Sequence, residues 1–336
     1  MIKRALLAVL LCSSMSFAQQ RVYAVVHLYQ TMVVGGHNPA AGIFYTTDGG
    51  SNWEHLGWSN IIAYSLTVDP GSNGKIMYLA AGNGVLKSTD GGEDWRIMTN
   101  WRETEISKLV IDPANHNVLY IATPYGVFKS TDAGWHWAKK NNGISPTQTG
   151  TTSSTFIGPI LLGKKNPNHL LIGTENGIYR STNGGDSWKM FALKGWGVRA
   201  LARSEQHQNE FIAGTENGGM FISHDGGKKW DHVTQNRMDT LAVYDVTFSP
   251  NDDKVIYAGG YGTGMLKSAD GGRTWTSYAD GLDCTTIHSI AVDPQNTDNI
   301  YIGTIPGGVY KSTDGGKSWK YLLLNGAQIW SVSIGE

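Results

Sequence analysis

An aspartate or asparagine returns at one position of a repeated octapeptide, as Asp48, Asp90, Asp132, Asn183, Asp225, Asp270 and Asp314. Regularly spaced carboxylates could ligate a cation or act as acids, but each octapeptide offers one, and a calcium ion takes roughly six to eight oxygens. The neighbouring residues point elsewhere. In Ser88-Thr-Asp-Gly-Gly-Glu-Asp-Trp95 and its six counterparts, a hydroxyl and a carboxylate can accept turn N–H groups. The glycine pair permits positive φ, and the tryptophan can bury on the order of 200 Å² while satisfying its indole N–H locally. These seven side chains are read as turn formers. No His-x-x-x-His pair, cysteine pair or EF-hand spacing occurs, so no metal is assigned. The Gly-Gly pairs belong to hairpins rather than phosphate loops, and no cofactor is expected.

The octapeptide tryptophans fall at 53, 95, 137, 188, 230, 275 and 319, spacings of 42 to 51 residues. That period matches a four-stranded propeller blade. Around each octapeptide the chain reads alike. An apolar strand A ends in an Asp-Pro-like corner, as in Ser65-Leu-Thr-Val-Asp-Pro70; strand B follows, as in Ile76-Met-Tyr-Leu-Ala-Ala81. A Gly-containing turn leads to strand C, as in Gly84-Val-Leu-Lys-Ser88, and the octapeptide is the hairpin into strand D, expected to begin at its tryptophan. No long segment has helical periodicity. The fold expected is an all-β, seven-bladed propeller of four-stranded antiparallel blades, one domain over 19–336. The first unit starts at strand B, Arg21 to His27, and the last segment, Gln328 to Ile334, is A-like. The final strand should therefore complete the first blade and close the ring.

Aligning the seven A strands on their corners puts Tyr64, Ser107, Gly158, Arg199, Tyr244, His288 and Trp330 at one equivalent position near the channel mouth. Repeats would favour similar residues there, and these differ in kind. Nearby loops add Trp58, Trp101, Arg102, Tyr125, Trp196, Arg237 and Tyr261. Such aromatics can stack on sugars or anchor a peptide, and arginine can pair with carboxylates or phosphates. Tyr244, His288 and Arg199 also have the types a polysaccharide lyase needs, a base and a cation to neutralise a uronate. Ordinary packing is the competing explanation for His288 and the loops. The acidic candidates Glu103, Glu105, Asp239, Asp245 and Asp283 cannot be paired from sequence, and Glu175 and Glu216 recur in Thr-Glu-Asn-Gly turns that serve hairpins. Two long loops, 28–41 and 139–155, have no assigned role.

The pattern Ser/Thr-x-Asp-x-Gly-x-x-Trp resembles the Asp-box, or BNR, repeat of sialidases, sortilin-type receptors, xyloglucanase-type hydrolases and photosystem II assembly propellers. The resemblance spans essentially all of 19–336. It implies that the boxes lie at the outer edge of one face, with ligands on the opposite face among the D–A and B–C loops. It says little of activity, because those families differ in function. Two copies depart from it: Asn183 replaces the aspartate of the fourth box, and Ala133 replaces the first glycine of the third, beside a bulky Trp135. Asparagine keeps one acceptor, so the fourth turn should survive; the third is expected to be distorted. Sialidases would add an arginine triad and an Arg-Ile-Pro signature, which is absent here, and xyloglucanases would add a second propeller. Sortilin-type and assembly propellers imply a protein partner; the enzyme families imply a glycan, with a glycoside hydrolase or polysaccharide lyase as the catalytic alternative to a binding module.

The first 18 residues have the form of a secretory signal: Lys3 and Arg4, an apolar run from Ala5 to Cys12, and Ser16-Phe17-Ala18 as cleavage site. The protein is expected to be secreted or periplasmic. Leu11 before Cys12 opposes a lipoprotein, and no later stretch reaches the roughly 20 apolar residues that span a bilayer. Cleavage would leave Cys284 as the only cysteine, so stability must come from packing and closure. A formal net charge of -1 shows no basic excess that would point to nucleic acid. A monomer is expected.

Overall fold

The computed structural model describes residues 20–29, 41–59, 61–149, 152–154, 156–324 and 326–335. The expected leader, 1–18, and most of the first long loop lie outside them. Seven four-stranded antiparallel sheets follow one another around a ring. In blades 2 to 7 the chain enters at strand A, namely Ala63–Val68, Lys108–Ile111, Ile157–Leu162, Val198–Arg203, Val243–Ser249 and Ile287–Val292. Strands B, C and D then step outward. Each strand A packs against the strand A of both neighbouring blades, which makes it the innermost element and leaves a central channel along the ring axis. Blade 1 takes its strand A from Ala327–Gly335, which pairs antiparallel with Arg21–Tyr29, as Tyr23 with Ser333 and Ala24 with Val332. The ring closes as the sequence predicts.

Burial follows radial position. Met77–Ala81, Leu119–Thr123, Leu170–Thr174, Phe211–Thr215 and Ile300–Thr304, all B strands, are buried at every residue because neighbouring blades cover both faces. The outermost strands are short and exposed, as at Arg96–Ile97. They begin one residue after each octapeptide tryptophan. The apolar core lies between blades: one cluster joins Tyr120 and Val127 of blade 3 to Ile172, Tyr179 and Trp188 of blade 4.

The seven octapeptide turns share one hydrogen-bond pattern. In blade 2, Ser88 Oγ donates to Asp90 Oδ1 at 2.7 Å and accepts the Gly92 N–H at 2.8 Å, while Asp90 Oδ1 accepts the Asp94 N–H at 3.1 Å. Asn183 reproduces it with its amide oxygen, accepting from Ser181 Oγ at 2.9 Å and from the Ser187 N–H at 3.0 Å. The third turn corrects the expectation of distortion. Ala133 takes φ 58°, close to Gly184 at 69° and Gly315 at 72° in the same position, and the Gly134 and His136 N–H bonds are intact at 2.9 Å. The left-handed conformation costs an L-residue about 1–2 kcal/mol, less than the shared set of bonds holds. Trp135 points outward under the Arg96 guanidinium, 4.5 Å from its ring centre.

The indole N–H groups divide more finely than a purely local rule predicts. Trp95, Trp230 and Trp275 donate within their own turns. Trp137 and Trp188 instead donate to Met98 O and Lys140 O of the preceding blade. Those of Trp53 and Trp319 are buried without an acceptor. Each turn is thus also a site of inter-blade contact. Tyr120 Oη and Lys129 Nζ both donate to Gly184 O in the next blade, at 3.1 and 3.0 Å, and Tyr257 and Lys267 do the same to Gly315 O.

Candidate functional site

The A–B corners and octapeptides occupy one end of the ring axis; the D–A and B–C loops occupy the other, where each strand A begins. In six blades the A–B pairing skips a residue at this start: Tyr64, Arg199, Tyr244, His288, Trp330, and Gly158 with Pro159 in blade 4. These β-bulges re-aim side chains that strict alternation would hold elsewhere. Ser107, the seventh member, precedes strand A of blade 3 and donates its hydroxyl to Ile157 O of blade 4 at 3.3 Å. Six of the seven aligned positions are therefore bulges around the channel mouth.

The ring has two unlike halves. Over blades 6, 7, 1 and 2 its aromatics touch in sequence, with ring centres 5.5 Å apart for Tyr244–His288, 4.5 Å for His288–Trp330 and 5.1 Å for Trp330–Tyr64. His27, from strand B of blade 1, fills the angle between the last two, 4.8 Å from Trp330 and 4.9 Å from Tyr64. His27 and His288 place Nδ1 against Ala63 O and Trp330 O, at 3.3 and 3.2 Å. Burial pushes both imidazoles below the usual histidine range, so they are neutral near pH 7. On the opposite side Arg199 is ion-paired with Glu216, and its guanidinium lies 4.8 Å over the Phe156 ring.

One position further along strand A, the ring reads Ser65, Lys108, Pro159, Ala200, Asp245, Ser289 and Ser331. Asp245, grouped by sequence with the acidic loop candidates, is in strand A of blade 6 and faces inward. Its carboxyl accepts the Ile290 N–H of blade 7 at 2.7 Å and the Val246 N–H at 2.9 Å. Burial raises its pKa to about 6, against the pull of the Ile290 N–H, the Lys108 charge and the Val246 N–H. His27, Asp245 and Lys108 are the residues the sequence alignment missed. The latter two needed only a shift of one residue along strand A; His27 carries no repeat signal.

The loop candidates separate by exposure. Trp101 is 79% exposed beneath the Arg102 guanidinium, and Tyr261 is 71% exposed. Tyr125 is 49% exposed and donates its hydroxyl to Glu105 at 3.2 Å. Arg237 is exposed, at φ 61° in the short 3-10 segment Gln235–Thr240. Trp196 differs from these: it packs on Phe221 and His232, with ring centres 5.4 and 5.8 Å away, and belongs to the wall of blade 5. Among the other acidic candidates, Glu103 is buried and caps the Asn100 N–H. The loop 139–155 carries a two-stranded hairpin, Thr147–Thr149 with Thr152–Ser154. Two surface grooves, of about 630 and 570 Å³, flank blade 1 on the turn side and are walled by the octapeptides. Among the described residues no group of three or more potential metal ligands occurs, and no helix is long and apolar enough to cross a membrane.

No protein-family model and no curated protein matches the sequence. Solved structures do match in fold. The chain is similar to the GH74 xyloglucanase from Xanthomonas campestris, with 16% identity and a TM-score of 0.70 over 89% of this chain and 52% of that one. It is similar to a YCF48 structure bound to D1 peptide, with 18% identity and a TM-score of 0.58 over 79% of this chain and 83% of the other. YCF48 from Cyanidioschyzon merolae gives 18% identity and a TM-score of 0.57 over 77% and 84%. The chain spans about half the length of the xyloglucanase. These likenesses establish the propeller, and they join a glycosidase to a peptide-binding protein.

Proposed function

We propose that this chain is a secreted or periplasmic, non-catalytic binding propeller whose channel-mouth face holds a protein partner. The observation that carries it is the contrast between seven near-identical turns at one end and a ring of unlike side chains at the other. That ring is rimmed by exposed Trp101, Arg102, Tyr125 and Tyr261. Solvent-facing aromatics and arginines are the residue types that dominate protein interfaces. The resemblance to Asp-box repeats supports the same face, and the fold likeness to YCF48 bound to D1 peptide supports a protein ligand. Residues 1–18 serve as a cleaved export signal, and the chain acts as a monomer. The test is capture of partners from the native periplasm or secretome by wild type and by a Trp101→Ala, Tyr261→Ala variant. Wild type should retain a discrete partner that the variant loses. A partner bound equally by both would overturn the assignment of this face.

A second reading, a carbohydrate-active enzyme, has one observation in its favour. Tyr244 and His288 converge, and the Arg199 charge acts on Tyr244, residue types that a uronate lyase would require. Glu216 already pairs with Arg199, which weakens its use as a substrate clamp. Incubation with uronate-rich and xyloglucan polysaccharides should release neither unsaturated uronates nor reducing ends; release of either would replace the binding reading by an enzymatic one.

A further inference from the structure

The channel behind the mouth carries a chemistry that the exposed rim does not. Strand A of blade 6 presents Tyr244 and then Asp245 inward, because the bulge at Tyr244 sets two consecutive residues against Gly259 alone. The aromatic wall Tyr244–His288–Trp330–Tyr64 thus leads to a carboxylate held in place by two backbone N–H groups from two blades. Both histidines of that wall are neutral near pH 7 and add no repulsion to an approaching cation. Within the same wall the buried indole N–H of Trp330 has no acceptor, and Ser333 Oγ, further along that strand, has no partner either. Both atoms are shut off from solvent by the protein itself, so neither is a contact point for a ligand.

We propose that the channel takes the arginine or lysine side chain of a bound peptide, its cation passing along the aromatic wall to the Asp245 carboxylate. This deepens the binding reading above and rests on it. Aromatic faces attract organic cations and a fixed carboxylate pairs with them. Lys108 acts on the same carboxylate from blade 3, so it competes with the incoming charge. Arg199, the other cation near Tyr244, is held by Glu216.

The probes are N-acetyl-arginine amide and its neutral isostere N-acetyl-citrulline amide, titrated while following the ring resonances of His27 and His288. The arginine probe should shift both rings saturably, and citrulline should bind at least about tenfold more weakly, the factor that roughly 1.4 kcal/mol of charge recognition produces. Asp245→Asn should lower the affinity for arginine about tenfold. Lys108→Ala, at an exposed position that leaves the fold intact, should raise it, which keeps the inference testable if Asp245→Asn fails to fold. Equal response to both probes, no response to either, or a Lys108→Ala variant that binds arginine no better would each overturn it. Partner capture that depends on Trp101 but not on Asp245 would sink the channel assignment alone and leave the binding face standing.

Discussion

The two ends of the ring are built by the same seven blades and follow opposite rules. At the turn end, a hydroxyl, a carboxylate and a glycine pair recur with nearly the same distances, and even Asn183 and Ala133 are absorbed into that pattern. At the mouth end, six bulges place at equivalent sites four aromatics, Tyr64, Tyr244, His288 and Trp330, an arginine, Arg199, and a glycine, Gly158. The carboxylates show the contrast most directly. Hydrogen bonds from His136 and from Thr274 hold Asp132 and Asp270 down to about 2, whereas burial lifts Asp245 to about 6. One end uses charge to satisfy its own backbone; the other holds charge in a setting that disfavours it. The lesson is that repetition marks structural work and divergence within it marks the surface free to acquire a ligand.

The largest break in that contrast would remove the ring itself. Deleting 328–336 takes away the innermost strand of blade 1 and exposes its pairing edge, so both ends should be lost together, with no cooperative melting transition near that of the intact chain. An unchanged melting temperature would contradict closure by this strand. Next, Trp188→Ala, at a tryptophan 2% exposed, should cost about 3–5 kcal/mol. Trp101→Ala should stay within about 0.5 kcal/mol; denaturant unfolding of the pair measures how far the two ends differ in stability while partner capture measures the reverse. Smaller is the response to pH, and its sign differs between the ends. Asp132 and Asp270 have depressed folded values, so the stability they contribute is present above the ordinary carboxylate value of about 3.9 and is lost as pH falls toward 2. Asp245 has a raised value, so the folded state loses stability as pH rises from about 3.9 through about 6. Asp245→Asn should therefore melt at a relatively higher temperature at pH 7 than at pH 4, compared with wild type. A difference between the two chains that did not vary with pH would refute this. In the same denaturant unfolding measurement, Ala133→Gly should stabilise by about 0.5–1 kcal/mol by relieving a left-handed alanine.

Much of this was legible in the residues because the signal came seven times over. The octapeptide spacing predicts the blade count, and the A-like segment at the end predicts which blade it completes; both hold. The alignment of A strands also finds the mouth ring, since a common corner fixes a common count of residues back to the bulge. Single-copy features were harder. Nothing before the fold distinguishes Trp196, packed into blade 5, from Trp101, which is open to solvent. The third turn illustrates the converse: sequence marks Ala133 and Trp135 as misfits, but the strength of the surrounding bonds decides that the turn keeps its form.

The sequence alone determined the repeat, and hence the local pairing within blades 2 to 7, because those interactions close within one repeat and need no distant partner. Only the tertiary structure decided what meets at the axis. Tyr244, His288, Trp330, Tyr64 and His27 become one wall, and Lys108 comes to act on Asp245, because closure of the ring brings together side chains that the chain itself separates by as much as the length of the propeller.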